Sequence, residues 1–261
     1  MNPILLFDAE SAWTDKDSFD SSLSLLSENI QKQVVAFYHR ADKRLALGSQ
    51  LLQRYFFAQS YNVPWNSIKL IRQDGHKPRI DSQVLKNVDY NVSHHSGIVV
   101  LASRADGKRV GVDIVHIAML DGEEFDWMDA FKQVFTASEY KFIESIPEKR
   151  TTRFFQLWSL KESFVKGIGL GLVTDLQAIE FRNICDLEKW DHAPRNYQDV
   201  AHVYRNGMRL NWYFRFYHLR PFHLVATAYE YPTPARADGE WITPLEIRYQ
   251  FERTMKTDRP L

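Results

Sequence analysis

The sequence contains little cysteine, no excess of charge and no long apolar run. Its 261 residues include one cysteine, Cys185, which excludes a disulfide framework and a multi-cysteine metal cluster. The 33 lysines and arginines balance the 33 aspartates and glutamates, which argues against binding nucleic acid by bulk electrostatics. The longest aliphatic run, residues 98–102, is far shorter than the roughly 20 residues that span a bilayer. Residues 1–20 lack the basic start and apolar stretch of a secretory signal, so we expect a cytoplasmic protein with no membrane partner.

Hydrophobic residues make up 44% of the chain and charged residues 25%, as in a globular protein with a sizeable core. A length of 261 residues suits one large domain or two small ones. Each half shows helical spacing followed by strand patterns, which predicts an α+β fold in two similar lobes. We place the lobe boundary near Gly107. The predicted parts are an N-terminal lobe over residues 1–107, a C-terminal lobe over 108–230, and an arm or poorly ordered tail over 231–261.

The spacing of apolar residues predicts the main secondary-structure elements. Residues 27–61 show helical spacing with a break around residues 39–42, which predicts two helices. Residues 90–102 alternate and then become continuously apolar, which predicts a strand pair that turns at residues 96–97. Residues 121–129 are acidic and predicted to form a loop. Further strands are predicted at residues 68–71, 109–115, 177–182, 201–204, 211–217 and 223–229.

A helix predicted over residues 153–168 presents two groups of side chains. The apolar stripe that should face the core consists of Leu157, Leu160, Phe164 and Ile168. Glu162 and Lys166 are one helical turn apart and project from a different side of the same helix. This pair is either an ordinary exposed ion pair or part of a site, and both interpretations fit the helix pattern.

An acidic residue, Asp113, interrupts the apolar strand predicted at residues 109–115. An unpaired buried carboxylate is costly, so Asp113 requires a structural hydrogen bond, an ion pair or a metal ion. Gly111 lies on the same face two residues earlier and leaves room for another group to approach the backbone. Because Mg²⁺ prefers oxygen ligands, one carboxylate from a strand and one from a facing helix would suit it. Asp113 and Glu162 are the best-placed pair of this kind.

Several other polar residues have both a structural and a functional interpretation. Ser93 and His94 end an alternating strand, where a histidine is either hydrogen-bonded within the fold or a ligand contact. The cations that precede them form solvated faces or bind anions, and they are Lys32, Arg40, Lys43, Arg44, Arg72 and Lys77. Arg72 and Lys77 flank a glycine turn and are the better candidates for binding phosphate.

Taken together, these motifs resemble the signature of 4′-phosphopantetheinyl transferases. After Gly111-Val112-Asp113 comes the string Trp158-Ser159-Leu160-Lys161-Glu162-Ser163-Phe164-Val165-Lys166, which matches the W-x-x-K-E-S-x-x-K element of the family. Shorter matches are F-[ST]-x-x-E at Phe135-Thr136 with Glu139, N-x-S-H at Asn91 to His94, and the K-P turn at Lys77-Pro78. The resemblance covers roughly residues 25–230. It is to the Sfp-type branch, above all to the eukaryotic aminoadipate-semialdehyde-dehydrogenase type.

The resemblance implies an α+β, pseudo-dimeric fold of two similar lobes, each with an antiparallel sheet packed on helices, around a cleft for coenzyme A and Mg²⁺. It implies a holo-[acyl-carrier-protein] synthase, which moves the 4′-phosphopantetheine arm of coenzyme A to a serine of an apo carrier protein and releases adenosine 3′,5′-bisphosphate. The implied carriers belong to aminoadipate reductase, fatty acid synthase, or polyketide or nonribosomal peptide synthases. Two internal lobes favour a monomer.

The resemblance also assigns roles in catalysis. Asp113 and Glu162 would hold Mg²⁺, or Mn²⁺ in its place, on the pyrophosphate of the substrate. Glu162, or a water that it orients, would accept the serine proton, and Lys166 would stabilise charge on the leaving phosphate. Glu139 would be a further metal ligand or a base, although its spacing from Thr136 also predicts a helix capping box. Val115 stands where many bacterial members have a second acid, so the third metal ligand is open.

The implied ligands of coenzyme A are Lys32, Arg72, Lys77, Ser93, His94 and Lys166. Among them, Lys32, Arg72 and Lys77 would bind anionic groups of the adenosine end. His94 would contact the 3′-phosphate or the pyrophosphate. His95 is either a polar contact or a spectator. A basic or apolar patch near residues 131–142 would dock an acidic carrier.

Two other classes of function are open from the residues themselves. A metal-dependent hydrolase of nucleotide pyrophosphates would need a held water and no surface for an acceptor protein. A non-catalytic partner-binding protein would use Asp113 and Glu162 in structural ion pairs. A dinucleotide-binding loop is excluded, because the glycines at residues 167, 169 and 171 follow a helix instead of opening one.

Overall fold

The computed structural model describes residues 4–71, 77–117, 131–169, 175–187, 195–219, 222–233 and 239–257. The chain forms two compact units. The first consists of Met1–Arg72, Pro78–Gly107 and Ala235–Leu261, and the second of Gln73–Lys77 and Lys108–Pro234. Within the described ranges, no helix is both long and apolar enough to cross a membrane.

The described elements follow one another along the chain as strands and helices of mixed order. They are β1 (Ile4–Asp8), α1 (Lys16–Leu23), α2 (Glu28–Val35), α3 (Arg40–Tyr61), β2 (Leu70–Ile71), β3 (Arg79–Ile80), β4 (Asp89–His95), β5 (Ile98–Arg104), β6 (Val110–His116), α4 (Ala137–Glu144), α5 (Arg150–Ile168), β7 (Ile179–Arg182), β8 (Arg195–Gln198), β9 (His202–Arg205), β10 (Met208–Arg209), β11 (Trp212–Leu219), β12 (His223–Glu230), β13 (Gly239–Trp241) and α6 (Pro244–Thr257).

The first unit is built on a sheet with the strand order β13-β1-β5-β4. Strand β5 pairs antiparallel with both β1 and β4, and all of its residues are buried, as expected for a central strand rich in β-branched residues. The turn between β4 and β5 falls at Ser96 and Gly97, where both residues have positive φ, as a type I′ hairpin turn requires. Helix α3 packs on this sheet, and their apolar side chains form the core of the unit.

The two helices predicted within residues 27–61 are confirmed as α2 and α3. The segment after residue 231 is rich in proline and charge and was expected to be an arm or poorly ordered, yet residues 239–257 form β13 and α6. The pairing of β13 with β1 and the apolar side chains of this segment that lie in the core hold it in the first unit. Ile247 is fully buried, and the ring of Phe251 packs on Trp65 with centroids 5.6 Å apart. Ile247 and Phe251 are four residues apart, the spacing of one helix face, but the prolines and charges around them obscure this short signal.

The second unit contains an antiparallel sheet with the strand order β6-β12-β11-β8 and a smaller sheet with the order β10-β9-β7. Helix α5 packs on β6 and β12, and its apolar stripe lies in the core of the unit. Both units therefore combine a sheet and a helix layer, which confirms the predicted α+β class. The one parallel pair among the described strands, β1 with β13, departs from the purely antiparallel expectation. The predicted loop at residues 121–129 lies outside the described residues.

Candidate functional site

Helix α5 touches strand β6 at Gly111. A Cβ atom at this position would lie 1.8 Å from the carbonyl oxygen of Ser163 and 2.4 Å from the backbone nitrogen of Gly167. Only glycine permits such a close approach of two backbones. The group for which the sequence left room at Gly111 is therefore this helix. Since Asp113 lies on the same face of β6, the contact brings its side chain beside α5.

Two acidic side chains meet at one ammonium group in this region. Lys166 Nζ lies 2.5 Å from Asp113 Oδ1 and 4.0 Å from Glu162 Oε2. The side chains of Asp113 and Glu162 are only 7% and 12% exposed. The interpretation of Glu162 and Lys166 as an exposed ion pair is therefore wrong. The structure brings together the three residues to which the sequence resemblance assigns catalysis.

The Glu162 carboxylate lies in an unfavourable environment for a negative charge. Burial raises its pKa above the usual range; the Lys166 ammonium opposes this shift, and the Asp113 carboxylate adds to it. Glu162 Oε1 is buried and accepts no hydrogen bond from any described residue. Two nearby carboxylates, one with a buried oxygen that lacks a donor, are suitable ligands for a hard divalent cation. The residues present therefore fit Mg²⁺.

Glu139 belongs to a different cluster. Its Oε2 accepts hydrogen bonds from the backbone nitrogen of Thr136 at 2.7 Å and its Oε1 from that of Phe181 at 2.8 Å. The capping box predicted from its spacing to Thr136 is confirmed. No three His, Cys, Asp or Glu side chains in the described part of the chain form a group that would hold a metal ion. The structure thus does not bring Glu139 to Asp113 and Glu162.

Sequence reasoning assigned no role to Lys161, which is completely buried within α5. Its Nζ lies 2.9 Å from Glu139 Oε2 and donates hydrogen bonds to the carbonyl oxygens of Leu176 and Ile179. Burial lowers the pKa of this lysine, and the Glu139 carboxylate opposes the shift. The only sequence signal for this pair was that both residues belong to motifs of the same family.

The implied ligands of coenzyme A occur in both units. Lys77 Nζ donates hydrogen bonds to the carbonyl oxygens of Val110 at 3.1 Å and Gly167 at 3.5 Å, next to the contact at Gly111. In the first unit, Lys32 is exposed on α2. On β4, Ser93 is buried and His94 is exposed. Arg72 lies outside the described residues.

Val115 lies with apolar neighbours in the core of the second unit. This location is a physical reason for the absence of a second acid on β6, because a carboxylate there would need its own buried partner.

Comparison with known proteins identifies the family. Residues 11–106 match the family described as "4′-phosphopantetheinyl transferase, N-terminal", and residues 109–206 match the "4′-phosphopantetheinyl transferase superfamily". The L-aminoadipate-semialdehyde dehydrogenase-phosphopantetheinyl transferase of Homo sapiens is 30% identical over 219 residues, which are 79% of this chain and 67% of the human protein. The protein of that name from Schizosaccharomyces pombe is 33% identical over 178 residues, 64% of this chain and 68% of the relative. A 4′-phosphopantetheinyl transferase of Bacillus subtilis is 30% identical over 164 residues, 62% of this chain and 69% of the relative.

These matches include the strand with Asp113 and the helix with Glu162 and Lys166, whose side chains converge in the second unit. The chain belongs to the 4′-phosphopantetheinyl transferase superfamily.

Proposed function

We propose that this transferase moves the 4′-phosphopantetheine arm of coenzyme A to a serine of an apo carrier protein, with Mg²⁺ held by Asp113 and Glu162. The observation that supports the proposal most directly is the convergence of these two buried carboxylates on Lys166. The second product would be adenosine 3′,5′-bisphosphate.

The charges at the site explain the need for a cation. Two carboxylates and a substrate pyrophosphate are negative, and Lys166 is the one ammonium group within 4.0 Å of Glu162 in the described residues. When bound, Mg²⁺ would polarise the pyrophosphate and partly neutralise its charge. Asp113 and Glu162 would supply the protein ligands, and phosphate oxygens and waters would complete the coordination, as is usual for this ion.

In the transfer step, the serine oxygen forms a bond to the phosphorus that bears the pantetheine arm. The bond from that phosphorus to the bridging oxygen breaks, and the electron pair leaves with the 3′,5′-bisphosphate. Glu162, or a water that it orients, takes the serine proton. Because a carboxylate that binds a metal ion is a weak base, a water oriented by Glu162 is the better acceptor of this proton. Lys166 stabilises the charge on the leaving phosphate.

The other implied residues bind the rest of coenzyme A in this proposal. Lys77 contacts the carbonyl oxygen of Gly167, the residue after Lys166, which supports its assignment to an anionic group close to the site. Lys32 and Arg72 bind the adenosine end, and Ser93 and His94 contact the phosphates.

The names of the relatives favour one acceptor for the first experiments. The human and yeast relatives are named after L-aminoadipate-semialdehyde dehydrogenase, so we propose the carrier domain of such an enzyme as acceptor. The patch at residues 131–142 exposes Lys132 and Lys141, which would suit an acidic carrier. The carriers of fatty acid, polyketide and nonribosomal peptide synthases should be tested beside it as alternative acceptors.

Mass spectrometry of an apo carrier domain, incubated with coenzyme A and Mg²⁺, tests the proposal. We expect a mass gain of one phosphopantetheine arm, and no gain with Glu162→Gln. The matched control is Glu148→Gln, which changes an exposed glutamate just before α5 and should transfer normally. Release of adenosine 3′,5′-bisphosphate from coenzyme A without a carrier would instead indicate a hydrolase. Absence of transfer to every carrier class, together with no calorimetric heat for coenzyme A and Mg²⁺, would contradict the proposal.

A further inference from the structure

Lys161 and Glu139 form an ion pair in which both side chains are completely buried. Lys161 Nζ lies 2.9 Å from Glu139 Oε2, and the exposed fraction of each side chain is 0%. A buried ion pair adds little net stability compared with apolar side chains of similar size. Its presence in α5 therefore calls for a reason other than stability.

The hydrogen bonds of this pair are complete. The ammonium group of Lys161 has three donors, and its acceptors are Glu139 Oε2 and the carbonyl oxygens of Leu176 and Ile179. The carboxylate of Glu139 also accepts from two backbone nitrogens. Through one side chain, α5 is thus bonded to α4, to the turn before β7 and to β7 itself.

These directional bonds restrict the rotation of α5 about its axis. The apolar stripe of the helix packs in the core, but apolar contacts have no strong directional preference. Consecutive helix residues are rotated by about 100°, so a fixed direction for Lys161 also fixes the direction of Glu162. The contact at Gly111 sets the distance between helix and strand. Arg153 and Gln156 make directional bonds nearer the start of α5, and the buried pair fixes the direction of the turn that carries Glu162.

We infer that Lys161 and Glu139 are positioning residues, which aim the Glu162 carboxylate at Asp113 without touching the substrate. The inference rests on the proposed function, because it concerns the metal ligands of the transfer site. It explains why the F-T-x-x-E and W-x-x-K-E elements occur together in this chain, since each supplies one partner of the pair.

The test compares Lys161→Met with a control on the same helix. Methionine keeps the length of the side chain and removes its donors, while Glu139 retains its two backbone partners. Arg153→Met is the control, because Arg153 is 5% exposed and likewise makes directional bonds, to Asp186 and to the end of α4, but lies nine residues before Glu162. Lys161→Gln, which keeps an amide donor, is the second variant should methionine prevent folding. The measurements are Mn²⁺ affinity by electron paramagnetic resonance without coenzyme A, kcat and KM for transfer, and melting temperature.

We expect the Lys161 variants to bind Mn²⁺ several-fold more weakly and to lower kcat by roughly ten- to a hundredfold, the size of effect that follows a misplacement of about 1 Å. The KM for coenzyme A should change little, since its proposed ligands are elsewhere. Arg153→Met should lower the melting temperature but keep Mn²⁺ affinity and kcat, both measured well below melting.

Wild-type Mn²⁺ affinity and kcat in the Lys161 variants would show a merely structural pair and overturn the inference. Equal losses in Arg153→Met would overturn it as well, because general loosening of α5 would explain them. If the wild-type chain transfers nothing to any carrier, the proposed function fails, and the Mn²⁺ titration still decides the positioning role.

Discussion

Lys166 Nζ lies 2.5 Å from Asp113 Oδ1 across 53 residues of sequence. The same ammonium group lies 4.0 Å from Glu162 Oε2, so one cation serves both carboxylates. A divalent ion would compete with Lys166 for these oxygens. The ammonium group of Lys166 would then be able to turn towards a phosphate of the substrate.

We predict that Lys166→Met lowers transfer at least tenfold but does not weaken the binding of Mn²⁺. The reason is that the competing cation is lost while both carboxylates remain. Calorimetric titration with Mn²⁺ and mass spectrometry of the carrier give the two values. Lys86→Met, at an exposed position, is the control. Loss of Mn²⁺ affinity in Lys166→Met would show that the lysine organises the carboxylates instead of competing for them.

Glu162→Gln should abolish transfer and raise the melting temperature of the metal-free protein at pH 7. The pKa of Glu162 is raised on folding from 4.5, so the folded state holds the proton more tightly than the unfolded state. The free energy of unfolding of the wild type therefore decreases as pH rises from the pKa of Glu162 in the unfolded state to its pKa in the folded state. Above both values the full cost of burying the charged carboxylate is present. Glutamine removes this penalty.

Thermal melting at several pH values in the presence of a chelator measures this effect. The difference in melting temperature between Glu162→Gln and the wild type should shrink as pH falls below the ordinary pKa of a glutamate. At such pH the wild-type carboxyl is protonated in both the folded and the unfolded state. Glu148→Gln, at an exposed position just before α5, is the control. A destabilised Glu162→Gln at pH 7 would contradict the prediction.

Gly111→Ala should destabilise the second unit severely, by about 3 kcal/mol or more. Its Cβ would meet the backbone of α5 at 1.8 Å, and backbone cannot rotate away as a side chain can. Gly48→Ala is the matched control, because its Cβ would meet the Phe7 ring at 3.0 Å and alanine favours the helix. Urea denaturation measures both. Equal stability of the two variants would argue against a close helix–strand contact.

Lys77→Ala should raise the KM for coenzyme A roughly tenfold with a smaller change in kcat, the effect of losing one charge-assisted hydrogen bond. Arg72→Ala is expected to behave in the same way. Arg40→Ala, which removes an exposed cation to which the proposal gives no contact with coenzyme A, should leave KM unchanged. Steady-state kinetics with varied coenzyme A provides the measurement. An unchanged KM in Lys77→Ala would restrict that residue to its bonds with Val110 and Gly167.

The sequence predicted those features that depend on neighbours a few residues apart. The apolar stripe of α5 and the capping box of Thr136 and Glu139 each arise within one or two helical turns. The turn at Ser96-Gly97 was recognisable for the same reason. The family also followed from the sequence, because the W-x-x-K-E-S-x-x-K string is long and its residue types are specific.

Only the tertiary structure decided which side chains meet across the chain. Residues 113 and 166 come into contact because a glycine lets a helix and a strand touch, and no local periodicity encodes that distance. Likewise, the sequence offered Glu139 as a metal ligand, and packing gave it Lys161 as a partner instead. Spacing along a chain determines which face a residue occupies, whereas burial and partners depend on what packs against that face.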